Sequence, residues 1–294
     1  RPWYEVVPAA LDVLELYMTD LVVRRLMIDL KEPFARRWNG GDAFRSAWLN
    51  ALSMGFPVGE QMFIDSLRDG LKALPESKRA YFASEIQGFV GQEATHRHLH
   101  ALYNKQLDAQ GFENGQEKRL IKRLEKLASM KLDPRHAVAI TAATEHFTAI
   151  FAGWMLETPQ NLEGADPRLK TLWLWHSAEE TEHRCIAFDL YRALGGNEKW
   201  RRFWFRFVTV QFLFELMRQT VQNLWDDKAL FSLTTWRSAA SMMLGKQGLV
   251  RYGFKHWRAY FSQDFHPSHQ DGTASETWLR ENEDLFRVVS RSPA

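Results

Sequence analysis

Apolar positions at helical spacing gather into four long stretches, each opened by a residue that starts helices and closed by one that ends them. Asn39-Gly40-Gly41-Asp42 is a loop ending in an N-cap and predicts a first helix from about Ala43 to Leu74. Pro75 opens a second, to about Gln110 before Gly111. Asp133-Pro134 opens a third, to about Thr158 before Pro159, and Asp166-Pro167 a fourth that ends at Gly195-Gly196. Between the second and third, Gln116 to Met130 is charged nearly all round and reads as a solvated linker helix. Ahead of them, Ala9 to Thr19 predicts a short helix, and the β-branched run Leu21 to Asp29 an extended segment along the bundle surface. The pattern predicts an all-α fold in three parts: an N-terminal segment 1–41, a four-helix bundle over 42–196, and a C-terminal helical extension 197–294 packed on it.

Two stretches resist a single reading. Pro57 lies inside the first helix, where a proline removes a backbone bond at a cost of about 3 kcal/mol. Either its kink turns Glu60 inward, or Met54-Gly55-Phe56-Pro57 breaks one helix into two. The run Trp200 to Met217, continuing to Trp225, is crowded with aromatics but interrupted by Arg206, Gln211 and Glu215. It falls short of the roughly 20 apolar residues of a membrane span. It suits a helix packed on the bundle or across a homodimer, a wall of an apolar substrate tunnel, or an interfacial membrane helix. The tail from about Leu230 carries further helix and is expected to end in poorly ordered polar residues from Ser268, with His266 and His269 as loop histidines.

Composition narrows the classes. Hydrophobic residues make up 45% of 294 positions and aromatics 13%, ample for a large core. A formal charge of only +2, with the basic residues spread out, gives no nucleic-acid groove. The single cysteine, Cys185, leaves no internal disulfide and fits a reducing compartment. With no signal-peptide pattern in these residues, the expected location is cytoplasmic, with membrane association through 200–225 as the variant.

The chemistry lies in His176-Ser177-Ala178-Glu179-Glu180-Thr181-Glu182-His183. On a helix, His176, Glu180 and His183 fall inside an arc of roughly 60°. Glu93 and His96, with His100 a turn on, repeat the Glu-x-x-His spacing on the second helix. Two such pairs, with one Glu from each of the other two helices, are how a four-helix bundle builds a dinuclear metal centre. Glu60 and Glu145 are placed to complete it. Glu145 sits among apolar and small residues, where a carboxylate needs a partner. Glu179 lies only about 40° from His183 and could replace Glu180, though Glu180 alone keeps the i, i+3 relation; otherwise Glu179 and Glu182 read as exposed charge. His98 reads as exposed, His146 as facing a neighbour or solvent, and His100 as supporting, core or ligating.

The blocks Phe56-Pro57-Val58-Gly59-Glu60-Gln61-Met62-Phe63-Ile64, Gly88 to His96, Glu145 to Ile150 and Leu172 to His183 resemble those of a bacterial family labelled "predicted metal-dependent hydrolase", a ferritin-like group. The resemblance spans roughly residues 20 to 220 and implies a ferritin-like four-helix bundle with additional C-terminal helices. The ligand pattern is similar to that of ferritin-like di-iron oxygenases, and His176 resembles the additional histidine ligand of di-iron N-oxygenases. His100 stands where ribonucleotide reductase small subunits carry a radical tyrosine, which argues against a radical store.

Glu60, Glu93, Glu145 and Glu180, with nitrogen from His96, His183 and His176, form a hard donor set suited to two iron ions, with manganese or a mixed Mn/Fe pair as variants. In that arrangement Glu93 and Glu180 bridge, while Glu60 and Glu145 terminate. The expected activity is O2-dependent oxygenation or oxidation of a small apolar organic substrate, drawing on an electron donor. Two alternatives stand beside it. One is a di-metal hydrolase activating water, favoured by the family label; the other is an iron-handling or structural bundle, disfavoured by the long aromatic extension.

Overall fold

The computed structural model describes residues 21–291, so the helix expected over Ala9 to Thr19 lies outside them. The all-α expectation holds. Strand β1 (Val22–Leu26) leads into α1 (Ala43–Ala73), α2 (Glu76–Ala109), the linker helix α3 (Gly115–Ser129) and α4 (Pro134–Glu157). These are followed by α5 (Pro167–His183), α6 (Ile186–Ala193), α7 (Glu198–Asp226), α8 (Leu233–Leu244), α9 (Leu249–Ala259), α10 (Thr273–Glu281) and strand β2 (Phe286–Arg291).

Side-chain caps set the helix starts. The carboxylates of Asp42, Asp133 and Asp166 and the amide of Asn114 each accept a backbone N–H of the first turn they precede. The fourth expected helix is two: α5 stops at His183 and α6 starts at Ile186, with Arg184 and Cys185 between them. No Gly or Pro in the sequence marks that break. Helices α1 and α2 pack on each other, α4 packs on α5 and α1, and α7 lies across α1 and α4.

Helix α1 runs unbroken through Pro57, so the reading of two separate helices does not stand. Proline leaves the carbonyl four residues back without its helical donor. That carbonyl belongs to Ser53, and Asn104 of α2 donates to it through Nδ2 at 2.8 Å. We expect Asn104→Ala to cost about 1–3 kcal/mol, the price of a buried acceptor left bare, read as a drop in denaturant midpoint.

The extended segment finds a partner that the sequence did not announce. Strand β1 pairs antiparallel with β2, so residues 286–291 are strand and not a loose tail, and 273–281 are helical. The strand lies close on α2, where a Cβ on Gly91 would meet Val23 Cγ2 at 2.5 Å. An irregularity between Val23 and Arg24 turns both side chains inward, as β-bulges do. Arg24 therefore points inward, toward Glu179 and Glu182 of α5.

Helix α3 also departs from expectation. It is amphipathic, and Leu120, Leu124 and Leu127 face a cavity beneath it. Arg119 and Arg123 both donate to the buried Glu215 carboxylate of α7, at 2.7 and 2.5 Å. The charge that reads as solvated all round in sequence thus clamps a roof onto α7.

Candidate metal centre

All seven residues singled out as ligands are buried, and α1, α2, α4 and α5 bring them to one region. The i, i+3 spacing does the positioning: Glu93 with His96 on α2, and Glu180 with His183 on α5, each project one turn's worth of side chains the same way. One donor atom from each of these four lies within 4.8 Å of the others. His183 Nδ1 is 2.7 Å from Glu93 Oε1, and His96 Nδ1 is 3.6 Å from Glu180 Oε1. A second group, Glu60, His100 and His176, meets the same criterion. It joins the first where His176 Nε2 stands 2.8 Å from Glu180 Oε1. Glu145 is fully buried beside them, its carboxyl pushed up by burial and then by the charges of Glu180 and Glu93.

Outer residues decide which ring nitrogens face the cluster. Gln92 donates through Nε2 to the Val22 carbonyl and to Glu182, which leaves its Oε1 to accept from His183 Nε2 at 2.6 Å. Glu179 holds Arg24 with one oxygen at 3.0 Å, and its other oxygen lies 2.9 Å from His96 Nε2. With Nε2 of both rings donating outward, Nδ1 of both presents a lone pair to the centre, the tautomer a metal requires.

A second chain fixes His176. Because the Ser53 carbonyl can only accept, Asn104 must turn its Nδ2 to it, and its Oδ1 then accepts the Ser53 hydroxyl at 2.7 Å. Ser53 Oγ, its proton spent, accepts from His100 Nδ1 at 2.9 Å. Burial, with His176 beside it, holds His100 well below the usual histidine range, so its ring is neutral. Its Nε2 therefore accepts from His176 Nδ1, 2.7 Å away. With Nδ1 donating to His100, the other ring nitrogen of His176, Nε2, faces a Glu180 oxygen. Two acceptors at that distance need a cation between them, either a proton or a metal ion.

The same need recurs across the centre. Among the described residues, both oxygens of Glu60, Glu93 and Glu145, one of Glu180, and Nδ1 of His96 and His183 have no hydrogen-bond partner. Burial and neighbouring carboxylates push Glu60 and Glu93 well above the usual range. Buried acceptors without donors cost several kcal/mol, and bound cations offset that cost. The set of oxygen and imidazole donors fits hard or borderline divalent ions, so the residues present suit a pair of metal ions.

The fold brings the seven residues named from the sequence to one buried region, and the sequence misread their surroundings. Glu179 and Glu182 are not exposed charge: Glu179 is fully buried, and Arg24 donates to both. Glu179 carried a signal in its small angular offset from His183. Gln92 and Arg24 carried none, since their roles exist only once α5 and β1 have packed on α2. His98 is exposed, and His146 is buried with Nε2 3.1 Å from the His256 carbonyl.

A cavity of about 540 Å³ reaches the centre at Glu60. Its floor is Phe56, Gly59, Glu60, Phe63, Ile140, Thr144 and Thr148, its roof α3, and its outer wall Phe203, Trp204, Phe207, Val208 and Phe212 of α7. The aromatic run of α7 is thus both a packed helix and a cavity wall.

A protein-family profile described as "Predicted metal-dependent hydrolase" matches residues 22–271. No curated protein and no solved structure matches the chain.

Proposed function

The chain belongs to the family of predicted metal-dependent hydrolases, and from the donors it assembles we propose a two-metal enzyme that uses dioxygen to oxidise or oxygenate an apolar organic substrate. Glu60, Glu93, His96, Glu145, His176, Glu180 and His183 would hold the ions, arranged as in ferritin-like bundles. When bound, two iron ions, or manganese or a mixed pair, would supply redox chemistry in which dioxygen is the oxidant and an external donor provides the electrons that return the ions to the reduced state.

The observation that carries this reading is the chemistry of the cavity floor. Hydrolysis builds negative charge on a substrate oxygen and needs donors aimed at it. Beside Glu60 the hydroxyls are those of Thr144 and Thr148, and each donates to a carbonyl of its own helix, at Ile140 and Glu145. The rest of the floor is apolar and suits hydrocarbon, while the polar lining residues Gln116, Arg123, Lys126, Gln211 and Glu215 belong to the roof and outer wall. A separate space of about 20 Å³ lies against His176 and Glu180, lined by Leu52, Phe56, Phe151, Met155 and Trp173. That is room for one molecule the size of water. Glu179, Gln92 and His100 keep the three imidazoles in register while the cavity fills and empties.

The family description favours a second reading, in which two metals activate water for hydrolysis. Anaerobic loading with Fe(II) followed by admission of air separates the two. Oxygen uptake in step with a new near-ultraviolet absorption, returning after reduction, is the expected result. Full loading with no oxygen uptake, together with ester or amide cleavage by the zinc or manganese form, would establish the hydrolase instead.

A further inference from the structure

We propose that the face formed by α3, α7 and α9 docks on an anionic lipid surface. On α7, Phe203, Val210, Phe214 and Met217 fall within an arc of roughly 60°. All four are exposed, Val210 at 71% and Phe214 at 58%. Exposed Arg206 and Arg218 lie to either side of this stripe. On α9, Val250 and Phe254 are exposed one turn apart, with exposed Arg251, Lys255 and Arg258 beside them. Trp257 ties the two helices together: its ring stacks on Phe254 with centroids 6.0 Å apart, and its Nε1 donates to Thr209 of α7 at 3.0 Å. At the opposite border, Met130, which caps the C-terminus of α3, and Phe203 and Phe207 of α7 are exposed while lining the 540 Å³ cavity. The mouth of the cavity therefore opens on this face.

Charge selects the occupant. On α7 and α9 the exposed charged residues are Lys199, Arg206, Arg218, Arg251, Lys255 and Arg258, with no exposed Asp or Glu beside them, although the whole chain is only +2. A second copy docked here would set basic surface against basic surface. An anionic bilayer accommodates both features: aromatic and aliphatic side chains enter at headgroup depth while the flanking Arg and Lys reach lipid phosphates. The helices lie on the membrane and not through it, since no described helix is long and apolar enough to cross one. A lipid-soluble compound would enter the cavity from the bilayer without crossing water. The docking itself is independent of what the metal centre does with such a compound.

The test is co-sedimentation of the full chain with vesicles of phosphatidylcholine alone and of phosphatidylcholine mixed with phosphatidylglycerol. The protein is expected to pellet with the mixed vesicles, to be released by salt, and to remain in solution with phosphatidylcholine. The pair Arg251→Glu and Lys255→Glu should weaken the partition about tenfold or more. Phe214→Ser should weaken it as well, with circular dichroism and metal content unchanged in both variants. Equal behaviour with the two vesicle types, or no pelleting at all, overturns the proposal. So does a concentration-dependent dimer that Val210→Glu dissolves, which would make the face a contact between copies.

Discussion

Glu93→Gln is expected to abolish binding of at least one of two metal ions per chain and to leave a protein that, at pH 8, melts higher than the metal-free wild type. The substitution keeps shape and removes a charge from a cluster in which Glu60, Glu93 and Glu145 are all pushed up by burial and then by neighbouring carboxylates, Glu180 among them in each case. The sign follows from those shifts. A carboxyl whose folded-state pKa is raised binds protons more tightly folded than unfolded. The stability these three carboxyls contribute to metal-free wild type is therefore full below the ordinary carboxylate range and is lost as pH climbs through the raised values. Metal reverses this, because ions replace the protons. Wild type should thus gain more in melting temperature from metal at pH 8 than at pH 5, and at either pH free metal a hundredfold above its dissociation constant there contributes about 2.7 kcal/mol per site. Elemental analysis and melting curves at the two pH values are the measurements, and undiminished metal in Glu93→Gln would remove it from the ligand set.

Gly59→Phe should separate the cavity from the metals. Gly59 lies mid-helix on the cavity floor next to Glu60, and a Cβ there meets nothing within 4 Å. Replacing a helical glycine contributes up to about 1 kcal/mol toward stability, so folding should not suffer. The ring would occupy the space above Glu60. Substrate turnover should fall about a hundredfold or more, with metal content and melting temperature unchanged or improved. Before a substrate is identified, the fluorescence of a bound apolar dye gives the same readout. Undiminished dye binding and turnover would mean that the reacting compound reaches the centre by another route.

What was legible in the sequence is what short-range geometry controls. Asp42, Asp133 and Asp166 cap helices because capping needs only the next three residues. Glu93 with His96, and Glu180 with His183, converge because the i, i+3 relation survives any packing that keeps the helix. Glu145 was conspicuous because a carboxylate in an apolar stretch demands a counter-ion. The remainder depended on neighbours distant in sequence. Nothing near Pro57 says that Asn104 will serve the carbonyl the proline frees, or that this amide in turn orients His100 and His176. The face of α3 was misread because its apolar residues are few, and only the groove between α1 and α7 gives them something to cover. Arg24 sits in a run that reads as plain strand, and its inward turn comes from a bulge whose partner is the last strand described.

That pairing of β1 with β2 sets an order of assembly. Arg24 reaches Glu179 from a strand whose only strand partner among the described residues is β2. During synthesis the helices that carry the donors leave the ribosome well before β2 does, and contacts between such distant segments form late because closing so long a loop is slow. The nascent protein can gather its carboxylates early, but the brace on His96 is finished only when β2 arrives. Maturation of the centre is thereby coupled to completion of the fold, and a chain interrupted before β2 would hold metal in a loosely held and unselective site.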